Sequence, residues 1–189
     1  IAYYRLDETT GVVVDELGTY DGTNYGATRG VAGIINDAFS FDGSNDYVDL
    51  NNYISQDIGN SPFTINFWYY EDTTNTGNMQ KNKLNIFDGS SESVSLVSTP
   101  SNLAWHMITG IRNSTGLYIY LDGTIDASNL VITGDITQTT NNALLGRASH
   151  TPAAYFDGTT DEIGIWDSAL TEEEIIELYN SGNGMRPSG

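Results

Sequence analysis

Tyr155–Gly182, YFDGTTDEIGIWDSALTEEEIIELYNSG, is the stretch that decides the fold. Phe156-Asp157-Gly158 is a turn in which glycine supplies the unusual backbone angle. Asp161–Asp167 then alternates as a strand does: Ile163 and Ile165 share one face, and Glu162, Gly164 and Trp166 the other. A helix start follows. Thr171 can cap it, Glu174 can reach back to complete a capping box, and Leu170 with Ile175 forms a hydrophobic staple. Ile175, Leu178 and Tyr179 share one helical face, and Gly182 is expected to end the helix.

Outward from this stretch the chain reads as strands. Residues 2–7 predict one, and Val12–Asp15 a second, short and β-branched. Residues 25–33 read as an irregular, glycine-rich wrap. Ala38–Phe41 and Tyr47–Leu50 make a hairpin around Asp42-Gly43. Phe63–Tyr70, FTINFWYY, is bulky on both faces, so a central strand is expected there. Further strands are predicted at 84–87, 94–97, 104–112, 116–121, 130–133 and 143–146, for a total of about twelve with frequent turns. That pattern means a sandwich or barrel of antiparallel strands. The polar stretches 51–62 and 71–82 read as loops, the second holding Lys81.

Composition narrows the function. The 189 residues suit one large β domain, and there are no cysteines, hence no disulfides, thiolate metal sites or cysteine nucleophiles. With 25 acidic residues against 7 basic ones, the net charge of −18 argues against nucleic acid and anionic membranes. It suits a solvated surface or bound cations. No apolar run is long enough to span a membrane. The start at Ile1 is expected to mark a processed or excised segment, and residues 183–189 a tail or linker after a domain of residues 1–182.

Four stretches together carry a resemblance: Tyr3–Thr23 (YYRLDETTGVVVDELGTYDGT), Ala38–Leu50 (AFSFDGSNDYVDL), Ala104–Thr124 (AWHMITGIRNSTGLYIYLDGT) and the closing segment. In this order they resemble the LamG-like, concanavalin A-like jelly-roll domains, from about Ala2 to Gly182. The resemblance implies an all-β fold: a two-sheet antiparallel jelly roll with one short C-terminal helix. It also implies a structural calcium. The matching loop offers Asp15, Asp21 and the carbonyls around Gly18, and the acid opening the last strand is Asp161. Oxygen donors of this kind suit a hard cation. The family loop runs D-x-S-G-N-G, where this chain has Asp15-Glu-Leu-Gly-Thr-Tyr-Asp21.

Catalytic readings find less support. Family 16-type glucanases place E-x-D-x-(x)-E on one strand; here Glu162 and Asp167 remain, but the central acid is Gly164. The two histidines, His106 and His150, lie near no G-x-S-x-G elbow. The sequon Asn113-Ser-Thr115 reads as a turn. Tyrosines on outward strand faces, Tyr70, Tyr118 and Tyr120, are candidates for stacking against sugar. The expected function is a non-catalytic, carbohydrate-binding lectin or adhesion module, extracellular, on a cell surface or on a virion surface. Its partner is a glycan or a surface protein. The alternative is a virion or surface-layer decoration or tail-fibre module held by protein contacts; a glycoside hydrolase ranks third.

Overall fold

The computed structural model describes residues 1–51, 61–71, 83–87, 91–130, 142–148 and 154–187. The loops expected at 51–62 and 71–82, the strand at 130–133 and His150 lie wholly or largely outside them. The described strands are β1 (Ala2–Tyr4), β2 (Thr23–Tyr25), β3 (Thr28–Ala32), β4 (Asp37–Asp42), β5 (Tyr47–Asp49), β6 (Phe63–Tyr70), β7 (Lys83–Phe87), β8 (Ser91–Ser95), β9 (Trp105–Arg112), β10 (Leu117–Leu121), β11 (Thr124–Asn129), β12 (Leu144–Leu145) and β13 (Asp157–Trp166). The helix α1 (Glu172–Tyr179) follows.

An eight-stranded sheet runs β11-β10-β9-β6-β13-β4-β3, with β1 also paired to β13, and a three-stranded sheet runs β12-β5-β2. β7 and β8 pair as a hairpin, and every pairing is antiparallel. This is the jelly-roll sandwich. β6 is central, as its bulk on both faces requires: β9 lies on one side and β13 on the other. Phe63, Tyr69, Ile108, Leu117, Ile119, Ile163 and Ile165 of the large sheet join Val48 and Leu50 in the main core. The other face of the large sheet carries a second cluster of Trp68, Met107 and Ile111 under Ile175 and Leu178 of α1.

The helix start forms as its sequence dictates. The Thr171 amide donates to Glu174 at 2.7 Å, and the Glu174 amide donates to the Thr171 hydroxyl at 3.3 Å. The helix stops earlier than expected. Asn180, not Gly182, is the cap residue, with φ of 47°. Asn tolerates that left-handed geometry because its short side chain bonds locally, here to the Gly184 carbonyl at 2.8 Å.

Other differences have local causes. Val12–Asp15 forms no strand; Val13 makes one bridge to Gly22, and the Asp15 amide turns aside to the Asp21 carboxylate at 3.0 Å. Residues 25–33 are not an irregular wrap: most of them form β3, the edge of the large sheet. The strand β11, TIDASN, was hidden by its polarity. Trp166 is half-buried and packs against the second cluster; its ring lies over Gly164, where an added Cβ would sit 2.1 Å from it.

β13 switches partners midway. Its first half pairs with β4 and its second with β1. At the switch its register with β6 shifts between Asp161 and Gly164, and Glu162 has φ of 50°. This bulge aims two adjacent carboxylates into the molecule. Arg186 pairs with the second of them, Glu162: its Nη2 lies 2.9 Å from Glu162 and 2.7 Å from Asp7. The Tyr3 hydroxyl also donates to Glu162. The described part of the expected tail, residues 183–187, is thus tied to the domain through Arg186, and Gly184 is buried there against Ile34 and Ile35.

Candidate functional site

The outer face of the three-stranded sheet is built by alternation. Val48 of β5 points into the core, so Tyr47 and Asp49 point out. β2 pairs with β5 so that Tyr25 lies opposite Tyr47 and Thr23 opposite Asp49. The two tyrosine rings stack, with centroids 4.7 Å apart and planes 11° apart. Beyond β12, Arg147 bridges to Tyr155. Its guanidinium lies 5.2 Å from the Tyr47 centroid and 5.7 Å from the Tyr155 centroid. The result is a ladder, Tyr25-Tyr47-Arg147-Tyr155, in which Tyr25 is 47% exposed. Beside it Asp49 accepts from the Asn142 side-chain amide at 2.9 and 2.7 Å and from the Asn51 backbone amide at 2.8 Å.

None of these ladder residues was singled out from sequence. Each was a tyrosine or arginine beside a turn, and only the strand register brings them together. The one available signal was the outward position of Tyr47 beside inward Val48.

The tyrosines that were singled out lie elsewhere. Tyr118 and Tyr120 point away from the main core, as expected, but pack into the second cluster beside α1. The Tyr120 hydroxyl is pushed up from its ordinary pKa by burial and by the nearby Glu172. Tyr70 packs on Trp105, with centroids 5.8 Å apart. The face that looked open in sequence is therefore partly roofed by the helix, whose docking no strand pattern announces.

The residues expected to hold calcium accept backbone N–H groups in this structure. Asp15 is 1% exposed and accepts four backbone N–H groups: Tyr3 at 2.9 Å and Leu17 at 3.1 Å on Oδ1, Thr19 at 3.1 Å and Tyr20 at 3.0 Å on Oδ2. A carboxylate has about four acceptor positions. Both Asp15 oxygens are thus directed at N–H donors. Gly18 serves the turn: its amide donates to the Asp15 carbonyl at 2.7 Å and its φ is 75°. Asp21 accepts the Asp15 amide. Asp161 bonds a different segment. It accepts from Ile34 at 2.9 Å, Ile35 at 3.1 Å and Glu162 at 2.8 Å, and is fully buried. Gly33 must lack a Cβ there, because one would sit 2.5 Å from the Asp161 carboxylate. Burial pushes both Asp161 and Glu162 up to about 7.

Two arrangements have the residue types of catalytic sites. Glu162 is buried against Tyr3 and Arg186, whereas Asp167 is exposed just past the end of β13. Ser101, His106 and Asp122 lie in a line that the sequence did not disclose. His106 Nδ1 is 2.7 Å from Asp122, and Nε2 is 3.1 Å from the Ser101 hydroxyl. Nε2 is also 3.0 Å from the Ser101 carbonyl, an oxygen that only accepts. The Met107 amide holds the other Asp122 oxygen at 2.9 Å, so the group works as a clip between β9, the segment before it and the β10–β11 turn.

A family model described as the concanavalin A-like lectin/glucanases superfamily matches residues 77–176, over half of the chain. The chain belongs to this superfamily. No curated protein matches. Among solved structures, domain 4 of a GH43 extracellular arabinanase from Geobacillus stearothermophilus, in complex with arabinotriose, is similar with a TM-score of 0.70 at 18% identity. That match covers 94% of this chain and 97% of that one. A Trypanosoma rangeli sialidase mutant displaying trans-sialidase activity is similar at 0.68 and 13% identity, over 98% of this chain and 33% of that one. A botulinum neurotoxin type C structure, from a study of cell entry dependent on two ganglioside molecules, is similar at 0.66 and 14% identity, over 96% of this chain and 50% of that one. The superfamily member thus spans a third to a half of these larger proteins and nearly all of the arabinanase domain. At such identities the likeness carries the fold. Among the described residues no helix is long and apolar enough to cross a membrane.

Proposed function

We propose that this superfamily member is a non-catalytic glycan-recognition module, working outside the cell or on a surface, and that sugar meets it on the tyrosine ladder. The stacked, half-exposed Tyr25–Tyr47 pair carries the reading. Aromatic faces suit the apolar faces of sugar rings. Asp49, Asn142 and Thr23 stand beside the ladder with acceptors and donors for hydroxyls. The arabinanase domain seen with arabinotriose and the neurotoxin tied to gangliosides support it by analogy of fold.

The non-catalytic part rests on the acids. Glu162 is spent on Arg186 and Tyr3, and Gly164 stands under the Trp166 ring where a glucanase strand carries its central carboxylate. A glycan array tests the whole reading. Wild type should bind at least one glycan class, and Tyr25→Ala should lose that binding while keeping its melting temperature. Binding that survives Tyr25→Ala would remove the ladder from the account. An array with no bound glycan would favour a structural module held by protein contacts.

A further inference from the structure

We propose that the sugar taken by this face carries a carboxylate, recognised by Arg147; this rests on the glycan-binding reading of the ladder. The chain has 25 acidic residues and 7 basic ones, so an arginine without an acidic partner is unexpected. Arg5 pairs with Glu16 at 3.1 Å, and Arg186 pairs with Asp7 and Glu162. Arg29 also lies over a ring, that of Phe39 at 4.9 Å, but donates to the Gly11 carbonyl at 2.8 Å. Arg147, in contrast, is held by the rings of Tyr47 and Tyr155 and makes no hydrogen bond or ion pair with a described residue. Its Nε is closed off from solvent with no acceptor.

Ring contacts fix the guanidinium in place without using its donors. A guanidinium fixed in this way, with no described residue taking its hydrogen bonds, matches a carboxylate, which can accept from two of its N–H groups at once. The neighbouring acids do not supply that carboxylate. Asp49 is turned to Asn142 and Asn51. Asp46, next to Tyr47, is buried and accepts the Asp42 amide at 3.1 Å. The net charge of −18 opposes an acidic ligand at a distance, but charges separated by more than about 8 Å are largely screened at physiological salt. At contact range Arg147 decides the sign.

The test compares acidic sugars with neutral counterparts of the same shape by calorimetry. Oligogalacturonate is set against its methyl ester, and sialyllactose against lactose; the two pairs separate a uronic acid from a sialic acid. At least one acidic form should bind ten times more tightly than its partner or better. Arg147→Gln should bring that ratio close to one, and Arg147→Lys should keep only part of it, since lysine lacks the planar fork. The wild-type comparison needs no variant to fold. Ratios below tenfold in both pairs, with neutral glycans bound, overturn the proposal and leave the glycan reading standing. Absence of binding to acidic and neutral glycans alike overturns both.

Discussion

Changing Asp15 to Asn leaves four converging backbone N–H groups with one acceptor oxygen in place of two, and turns an NH2 group toward the rest. Buried donors without acceptors cost about 1–3 kcal/mol each, so a loss of about 2–4 kcal/mol is expected. For a domain of this size each kcal/mol lowers the melting temperature by roughly 2–4 °C. Asp15→Asn should therefore melt well below wild type, while EDTA or added calcium should leave the wild-type melt in place; calorimetric melts check both. A chelator-sensitive melt would instead favour the calcium expected from the sequence. Asp161 and Glu162 set a second expectation. Burial raises both to about 7, so the folded state holds protons that the unfolded state has released. Their contribution to stability is complete below the ordinary carboxylate range, about pH 4, and is lost as pH rises through about 7. Urea midpoints should be higher at pH 5 than at pH 8, and Glu162→Gln should reduce that difference. At this scale the sequence did not disclose the N–H groups that Asp15 and Asp161 accept. Asp15 and Asp161 were singled out, but a carboxylate is spelled the same whether cations or N–H groups surround it.

Elements were legible where they carried their own signals. The capping box at Thr171 and Glu174, the two bulky faces of β6 and the inward Leu117 and Ile119 of β10 all formed as written. Elements defined only by their partners were not: β3 and β11 are polar edge strands, and residues 12–15 lost a strand to a side-chain turn. β13 shows how one residue serves two arguments. Gly164 signified a missing catalytic acid, and it also makes room for the Trp166 ring. Gly164→Ala should push that ring off the strand. The expected result is a lower melting temperature and a shift in tryptophan fluorescence, checked on the same sample; an unchanged spectrum and melt would contradict the packing.

At the scale of the molecule, the jelly roll joins its two ends. β1 pairs with β13, and Arg186 ties the C-terminal segment to Asp7 and Glu162. The closing segment and its three companion stretches made this architecture readable, because each carries turns and alternation that suit one fold. The ladder was not readable. Tyr25, Tyr47, Arg147 and Tyr155 come from separate turns and strands, and only the pairing of β2 with β5 and the bridge at Arg147 bring them into one row. The central claim is that sugar meets this row. Backbone amide shifts mapped by NMR during titration with a bound glycan test it most directly. The account predicts that the shifts concentrate at residues 23–25, 47–49, 144–148 and 155. Shifts concentrated instead around Trp105, Tyr118 and Tyr120 on the helix-covered face would contradict it.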